Sequence, residues 1–202
     1  PAWFAVSERV SVPKARVVIA EDESLIRIDL AEMLTELGYD VVGTASDGEA
    51  AIELVAKLSP DIALLDIKMP KVDGLTAAER IGELGGTAVV MLTAFSQGEL
   101  IDRARAAGAM AFLVKPVSAS DLTPALELAR ARFAEKAALE TEIEDLNQRL
   151  AARKAIERAK SILQQRFAMG EADAFRWLQK AAMDRRMSMQ AVAVGEIAES
   201  PT

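Results

Sequence analysis

Short apolar runs alternate with amphipathic stretches over the first two thirds of the chain. Arg16–Ala20, Val41–Ala45, Ile62–Asp66, Ala88–Thr93 and Ala111–Val114 are short, largely apolar runs that read as strands, and Ile62–Asp66, four apolar residues leading into an aspartate and bounded by turn signals, reads as one buried on both faces. Between them apolar residues recur every three or four positions. Leu25, Ile28, Leu30, Met33, Leu34 and Leu37 form one such series, expected to lie on one helix capped by Ser24 and stopped by Gly38. Asp47-Gly48 opens a second helix. A third is expected over about 75–84, a fourth over about 97–107, and a fifth after Ser118 or Ser120. Five strands alternating with five helices predict a doubly wound α/β fold with a five-stranded parallel sheet.

Beyond Leu122 the helical period does not stop. Pro124 is expected to fall within a first turn, where proline is tolerated. Leu139, Ile143, Leu146 and Leu150 then recur at intervals of four, three and four, a short a/d seam able to support a dimer or to pack on its own chain. Further on, Ala155, Ile156, Ala159, Ile162, Leu163 and Phe167 continue the register until Gly170. A second helix carries Ala174, Phe175, Trp177, Leu178, Ala181 and Ala182, with Phe175, Trp177 and Leu178 expected to fill a core, or Trp177 to be left outside it. Ser188 is expected to cap a third. The predicted organisation is a leader over 1–14, an α/β domain over 15–132, a helical connector over 133–150 and a small three-helix domain over 151–202.

The 202 residues contain neither cysteine nor histidine. Thiolate chemistry, disulfides and histidine-based catalysis are therefore excluded, and a reducing cytoplasm is the compatible compartment. No apolar run approaches a membrane span. The net charge of −7 is unevenly spread: 134–148 is acidic, whereas 149–186 holds ten Lys/Arg against four Asp/Glu. A basic block in an acidic protein suits an anionic partner or a solvated helix surface.

Candidate chemistry gathers at the strand ends. The first strand runs into Glu21-Asp22, the third ends in Asp66, the fourth in Thr93, and the fifth runs into Lys115. In a parallel sheet these lie on one edge. Three carboxylates there repel one another unless a cation intervenes, and an all-oxygen set suits a hard ion such as Mg²⁺. A carboxylate beside a hard cation, a lysine and a hydroxyl is a phosphoryl site with Asp66 as nucleophile.

Glu21-Asp22, the block Asp66-Ile67-Lys68-Met69-Pro70 with Asp73-Gly74, Thr93-Ala94 and Lys115-Pro116 together resemble the receiver domain of bacterial two-component response regulators. The resemblance implies a flavodoxin-like strand order and phosphorylation of Asp66 by a sensor histidine kinase. It implies Mg²⁺ on Glu21, Asp22, Asp66 and the Lys68 backbone carbonyl, and a switch in which Thr93 moves to the phosphoryl group and Phe112 follows it inward. Arg153–Leu163, Asp173-Ala174-Phe175, Leu178 and Ala181-Ala182-Met183 resemble the ANTAR domain, a three-helix RNA-binding module. That resemblance implies recognition of paired RNA stem-loops and antitermination of transcription. Arg153, Lys154, Arg158 and Lys160 are the candidate RNA contacts, expected on a solvent-facing side. A protein-binding or dimerising output is the competing expectation. A DNA-binding output is disfavoured because Met187–Thr202 carries no Lys or Arg, and a haloacid-dehalogenase-type phosphatase because Lys68 stands where its second aspartate would be. The chain is thus expected to accept a phosphoryl group rather than to act as an enzyme, and phosphorylation is expected either to make it dimerise or to release the C-terminal unit and uncover its basic face.

Overall fold

The computed structural model describes residues 15–94 and 98–198, with side chains described over 15–94 and 101–197. The expected leader, and Gln97 at the expected start of the fourth helix, lie outside the described residues. Contacts divide the chain into two compact units that meet between Lys136 and Ala137.

The first unit holds β1 (Arg16–Ala20), α1 (Ser24–Glu36), β2 (Asp40–Ala45), α2 (Gly48–Leu58), β3 (Ile62–Asp66), α3 (Gly74–Leu84), β4 (Ala88–Thr93), α4 (Gly98–Ala106) and β5 (Ala111–Val114), followed by α5 (Ala119–Phe167). The strands form one parallel sheet in the order β2-β1-β3-β4-β5. The direction of travel reverses between β1 and β3, and open α/β sheets bind ligands in the crevice at such a reversal.

Period-two alternation sends successive strand residues to opposite faces. Val18, Ala20, Ala63, Leu65, Val89 and Met91 pack with Val55, Ala78, Ile81 and Ala104 of α2, α3 and α4. Val17, Ile19, Ile62, Leu64, Val90 and Leu92 pack with Leu30 and Leu34 of α1 and with Leu122, Leu126 and Ala129 of α5. Both faces of the sheet are covered, which is why the central strands β1, β3 and β4 read as apolar runs, whereas the edge strand β2 is largely half-exposed.

Three local expectations are corrected. Ser24 does not cap α1: it is the first helical residue, Glu23 occupies the cap, and no side chain accepts there. Leu25 and Ile28 do not join the core of α1 but are 84% and 55% exposed. Leu30 and Leu34, four apart, form the buried stripe, and Leu25 and Ile28 fall on the far side of it. Pro124 lies five residues into α5, past its first turn. It removes the N–H that would meet the Ser120 carbonyl, and exposed Ser120 leaves that oxygen to water. The start of α5 is fixed by Ser118, whose N–H and hydroxyl both donate to the Asp121 carboxylate. Those donors hold the Asp121 pKa below its ordinary value.

In the second unit α6 (Glu171–Arg185) and α7 (Met189–Ala198) complete a small core with the end of α5. Ala159, Leu163, Ala174, Leu178, Ala182, Val192 and Ala193 are its buried residues. The Ser188 hydroxyl accepts from the Ala191 N–H and caps α7. The expected aromatic filling is half wrong. Trp177 is partly buried against this core, whereas Phe175 is 43% exposed. Ala174, Trp177, Leu178, Ala181 and Ala182 share the stripe, and Phe175 stands one residue, about 100°, off Ala174.

Candidate functional site

Each site residue of the first unit is set by a backbone element. Glu21 follows β1, and its N–H donates to the Ala45 carbonyl at 3.1 Å. Asp66 ends β3, and the next N–H, of Ile67, donates to Leu92 at 3.1 Å. Thr93 ends β4, its carbonyl accepting from the Lys115 N–H at 2.8 Å. The Lys115–Pro116 peptide is cis. The strand ends therefore bring Glu21, Asp22, Asp66, Thr93 and Lys115 to one edge.

Carboxylate oxygens of Glu21, Asp22 and Asp66 lie within 4.8 Å of one another. The Lys115 ammonium sits 2.6 Å from Glu21 Oε2 and 2.9 Å from Asp66 Oδ1. Glu21 is fully buried, Asp66 and Thr93 are nearly so, and Asp22 is exposed. Burial pushes the Glu21 pKa above its ordinary value, against the lowering effect of the adjacent Lys115 ammonium. Burial also pulls on Lys115 in the direction of the neutral amine, but the carboxylates of Glu21 and Asp66 beside it prevail and raise its pKa. By formal charge, the three carboxylates and one ammonium sum to −2, the complement of a divalent cation.

An observation on Glu21 tests the fit of such a cation. Its Oε2 is buried, and although Lys115 is close the approach lacks hydrogen-bond geometry, so the oxygen has no hydrogen-bond partner. A buried carboxylate oxygen without one is costly. A cavity of about 210 Å³ is lined by the Glu21 neighbours Asp22, Asp66 and Lys115, with Lys68, Thr93 and Ala94. Hard oxygen donors, an under-satisfied carboxylate and a charge of −2 fit a hard divalent ion. Phe112 is half-buried, packed against the same core as Val18 and Leu65.

The loop that carries Lys68 is held from below, which the sequence pattern does not announce. Asp47 accepts from the Ala50 N–H at 2.9 Å and caps α2, while its other oxygen takes the Lys71 ammonium at 2.9 Å. The Ala50 N–H and then Lys71 hold the Asp47 pKa below its ordinary value. Asp73 caps α3 in the same way, through the Thr76 N–H. After each aspartate comes a glycine with no room for a side chain. A Cβ at Gly48 would lie 2.3 Å from the Val72 carbonyl, and one at Gly74 only 1.9 Å from the Asp66 carbonyl. The signal available in the sequence is the repeated Asp-Gly pair, which by itself reads only as turn punctuation.

In the second unit the structure separates the four candidate RNA contacts. Arg153, Lys154 and Arg158 are exposed, with no ion pair among the described residues. Lys160 is not on that side. It is 8% exposed, and its ammonium lies 2.8 Å from Glu171 and 3.0 Å from Glu157. Position 160 falls between Ile156 and Leu163 on the inward stripe. Its stem is covered there, and its head reaches the first turn of α6. Lys160 is thus a tie between α5 and α6. The Glu171 hydrogen bond, then that of Glu157, raises its pKa, and Lys160 in turn lowers that of Glu171.

Residues 17–127 match the family model of the response regulator receiver domain, and residues 144–195 match that of the ANTAR domain. The transcriptional regulatory protein PdtaR of Mycobacterium tuberculosis is 56% identical over 183 residues, 91% of this chain and 89% of that protein. The chemotaxis protein CheY of Thermotoga maritima is 36% identical over 112 residues, 55% of this chain and 93% of that protein. Among solved structures, the receiver domain of a response regulator, NarL, from Mycobacterium tuberculosis superposes with a TM-score of 0.56 at 34% identity, covering 59% of this chain and 98% of that one. CheY of Borrelia burgdorferi, solved in a complex with CheX, BeF₃ and Mg²⁺, gives 0.53 at 31% identity, covering 55% of this chain and 85% of that one.

Proposed function

Because the chain belongs to the response regulators that join a receiver domain to an ANTAR domain, we propose that it is a phosphorylation-controlled antiterminator. Asp66 accepts a phosphoryl group from a sensor histidine kinase. The Asp66 carboxylate oxygen bonds to phosphorus, the N–P bond of the kinase's phosphohistidine breaks, and its electron pair returns to the kinase imidazole. A chain without histidine cannot supply that donor itself. The observation that carries the assignment is the Lys115 ammonium, 2.9 Å from Asp66 and 2.6 Å from Glu21 in a cavity with room for a phosphoryl group.

Glu21, Asp22, Asp66 and the Lys68 carbonyl are the residues that would hold Mg²⁺, which when bound offsets charge on the phosphoryl oxygens. Lys115 holds Asp66 in place and contributes a fixed positive charge. The Thr93 hydroxyl serves as a donor to the new phosphoryl oxygens, and Phe112, on the neighbouring strand, follows its movement. Phosphorylation adds up to two negative charges and three acceptors beside Lys115 and Thr93. The protein catalyses nothing beyond gaining and losing its own phosphoryl group, and it works in the cytoplasm. No described helix is long and apolar enough to cross a membrane.

The output is RNA stem-loop binding through Arg153, Lys154 and Arg158. Exposed cations without carboxylate partners support this reading, since phosphate is the ligand such a surface lacks. DNA is disfavoured, because α7 has no cation with which to enter a groove. The exposed seam Leu139, Ile143, Leu146 and Leu150 accommodates a second copy of the chain. A protein-binding output is the second reading, favoured by Phe175 and Met183, which are 43% and 72% exposed on α6.

The test is binding of the full chain to a tandem-hairpin RNA and to matched duplex DNA, with and without acyl-phosphate treatment, at two salt concentrations. RNA-selective binding strengthened by phosphorylation is expected. Equal binding in both states would remove the gate, and no RNA preference in either would leave the protein-binding reading.

A further inference from the structure

The seam at the start of the second unit is fully helical and uncovered. Leu139, Ile143, Leu146 and Leu150 are 52–57% exposed, within a helix that contributes no residue from 139 to 150 to any buried cluster. Four large apolar side chains at intervals of four, three and four make a two-heptad stripe with Ile143 and Leu150 at a, and Leu139 and Leu146 at d. Among soluble partners, a stripe of that shape is best covered by another like it. The pairing of two copies rests on the function proposed above. What that function leaves open is the direction in which the copies run.

Charge decides direction. In coiled coils the e and g positions flanking the stripe set orientation. If two copies ran parallel, each g residue would face the e residue five positions on. Glu135 would meet Glu140, Glu142 would meet Asn147, and Arg149 would meet Lys154. Two of those pairs are like charges, each occurring twice in the dimer, and none is attractive. If the copies run antiparallel, g faces g and e faces e. Glu142 then meets Arg149 twice, and Glu140 meets Asn147 twice. The apolar layers also match without remainder, Ile143 on Leu146 and Leu139 on Leu150. Arg149 is free to make this exchange: its present partner is Asp145, one turn back, and the two are 74% and 54% exposed. Exposed pairs of that kind hold weakly and reform readily.

We propose that two copies of this chain pair antiparallel through residues 139–150, on a twofold axis between Glu144 and Asp145. Residues 134–140 of each copy, the start of its acidic stretch, then run alongside residues 149–155 of the other, the start of its basic stretch. A seam of about two heptads is marginal by itself, so the pairing is concentration-dependent and salt-sensitive. In this arrangement Lys154 of the two copies lies nineteen residues apart along the axis, about 28 Å at 1.5 Å per residue. Two basic faces at that spacing suit two separate RNA hairpins, rather than both copies converging on one.

The chain has no cysteine, so introduced thiols report on the seam alone. Leu139→Cys and Leu150→Cys are made separately in the full chain, distinguished by a mass tag, and oxidised alone or mixed. Both positions are about half exposed, and neither substitution touches a core. The antiparallel pairing places 139 against 150, and leaves 139 about 16 Å from its own counterpart, beyond disulfide reach. The expected result is a mixed cross-link at least tenfold above that of either variant alone, reduced by salt. Efficient self-cross-linking of each variant would overturn the direction and keep the dimer. No cross-link in any combination up to hundreds of micromolar would overturn the pairing itself, while the outcome of the RNA binding assay stands or falls separately.

Discussion

Each unit of this chain contains a lysine held between two carboxylates, and the two arrangements do opposite work. Lys115 lies 2.6 and 2.9 Å from Glu21 and Asp66, and Lys160 lies 3.0 and 2.8 Å from Glu157 and Glu171. On distance alone they are equivalent. They differ in the carboxylates: Glu21 and Asp66 side chains are 0% and 9% exposed, whereas Glu157 and Glu171 are 58% and 73% exposed. The first pair has lost its water and carries a surplus of negative charge with Asp22, beside a cavity. The second pair keeps its water, and the lysine completes it. A buried cation marks a binding site only when the anions around it are also buried and still unsatisfied.

Breaking the first arrangement has the largest consequence. Asp66→Asn removes the nucleophile, and incorporation of label from a small acyl phosphate with Mg²⁺ is expected to vanish; normal labelling would end the phosphoacceptor assignment. Lys115→Met keeps much of the bulk and deletes the charge. Removing a preorganised electrostatic partner of this kind costs roughly 10²–10³ in rate, so the label should appear that much more slowly. Lys160→Met, the matching change in the second unit, should leave labelling untouched and lower the melting temperature of that unit. A labelling defect in Lys160→Met would show the comparison to be false.

Smaller effects sharpen the contrast. Neutralising Arg153, Lys154 and Arg158 together should reduce the slope of log K for RNA against log salt by roughly 0.7 for each phosphate no longer neutralised. Lys160→Met should leave that slope unchanged, since its ammonium is already paired. Asp47→Asn is the mildest. Because the Asp47 pKa is depressed in the folded protein, its contribution is present above the unfolded value and disappears as pH falls through the folded one. The variant should therefore melt earlier than the wild type at neutral pH, with the gap closing in acid. A constant gap across that range would remove the charge of Asp47 from the explanation.

The first unit is readable because its logic is carried by the chain in order. Buried strands announce themselves as apolar runs, their ends share one edge, and the residues next in sequence must land there. The clamp between Asp47 and Lys71 is invisible in the sequence because 24 residues separate the partners and nothing local links them. The second unit is readable only by helical period, and there residue type is a poor guide to side. Charge alone would put Lys160 outside, and aromaticity alone would put Phe175 inside. The stripes set by their neighbours send each the other way. Leu25 and Ile28 on α1 repeat the lesson, since two apolar residues at helical spacing do not make a buried face unless they coincide with Leu30 and Leu34.

Gly74 has no functional group, yet a Cβ there would collide with the carbonyl of Asp66 at 1.9 Å and with the Ile67 Cα at 3.0 Å. Any other residue at 74 must therefore displace the backbone of the phosphoacceptor itself. A saturation survey that scored signalling would rank this position beside Asp66 and Lys115, and a survey that scored only folding would rank it lower. The discrepancy between the two rankings would measure how little positional slack the reacting aspartate tolerates.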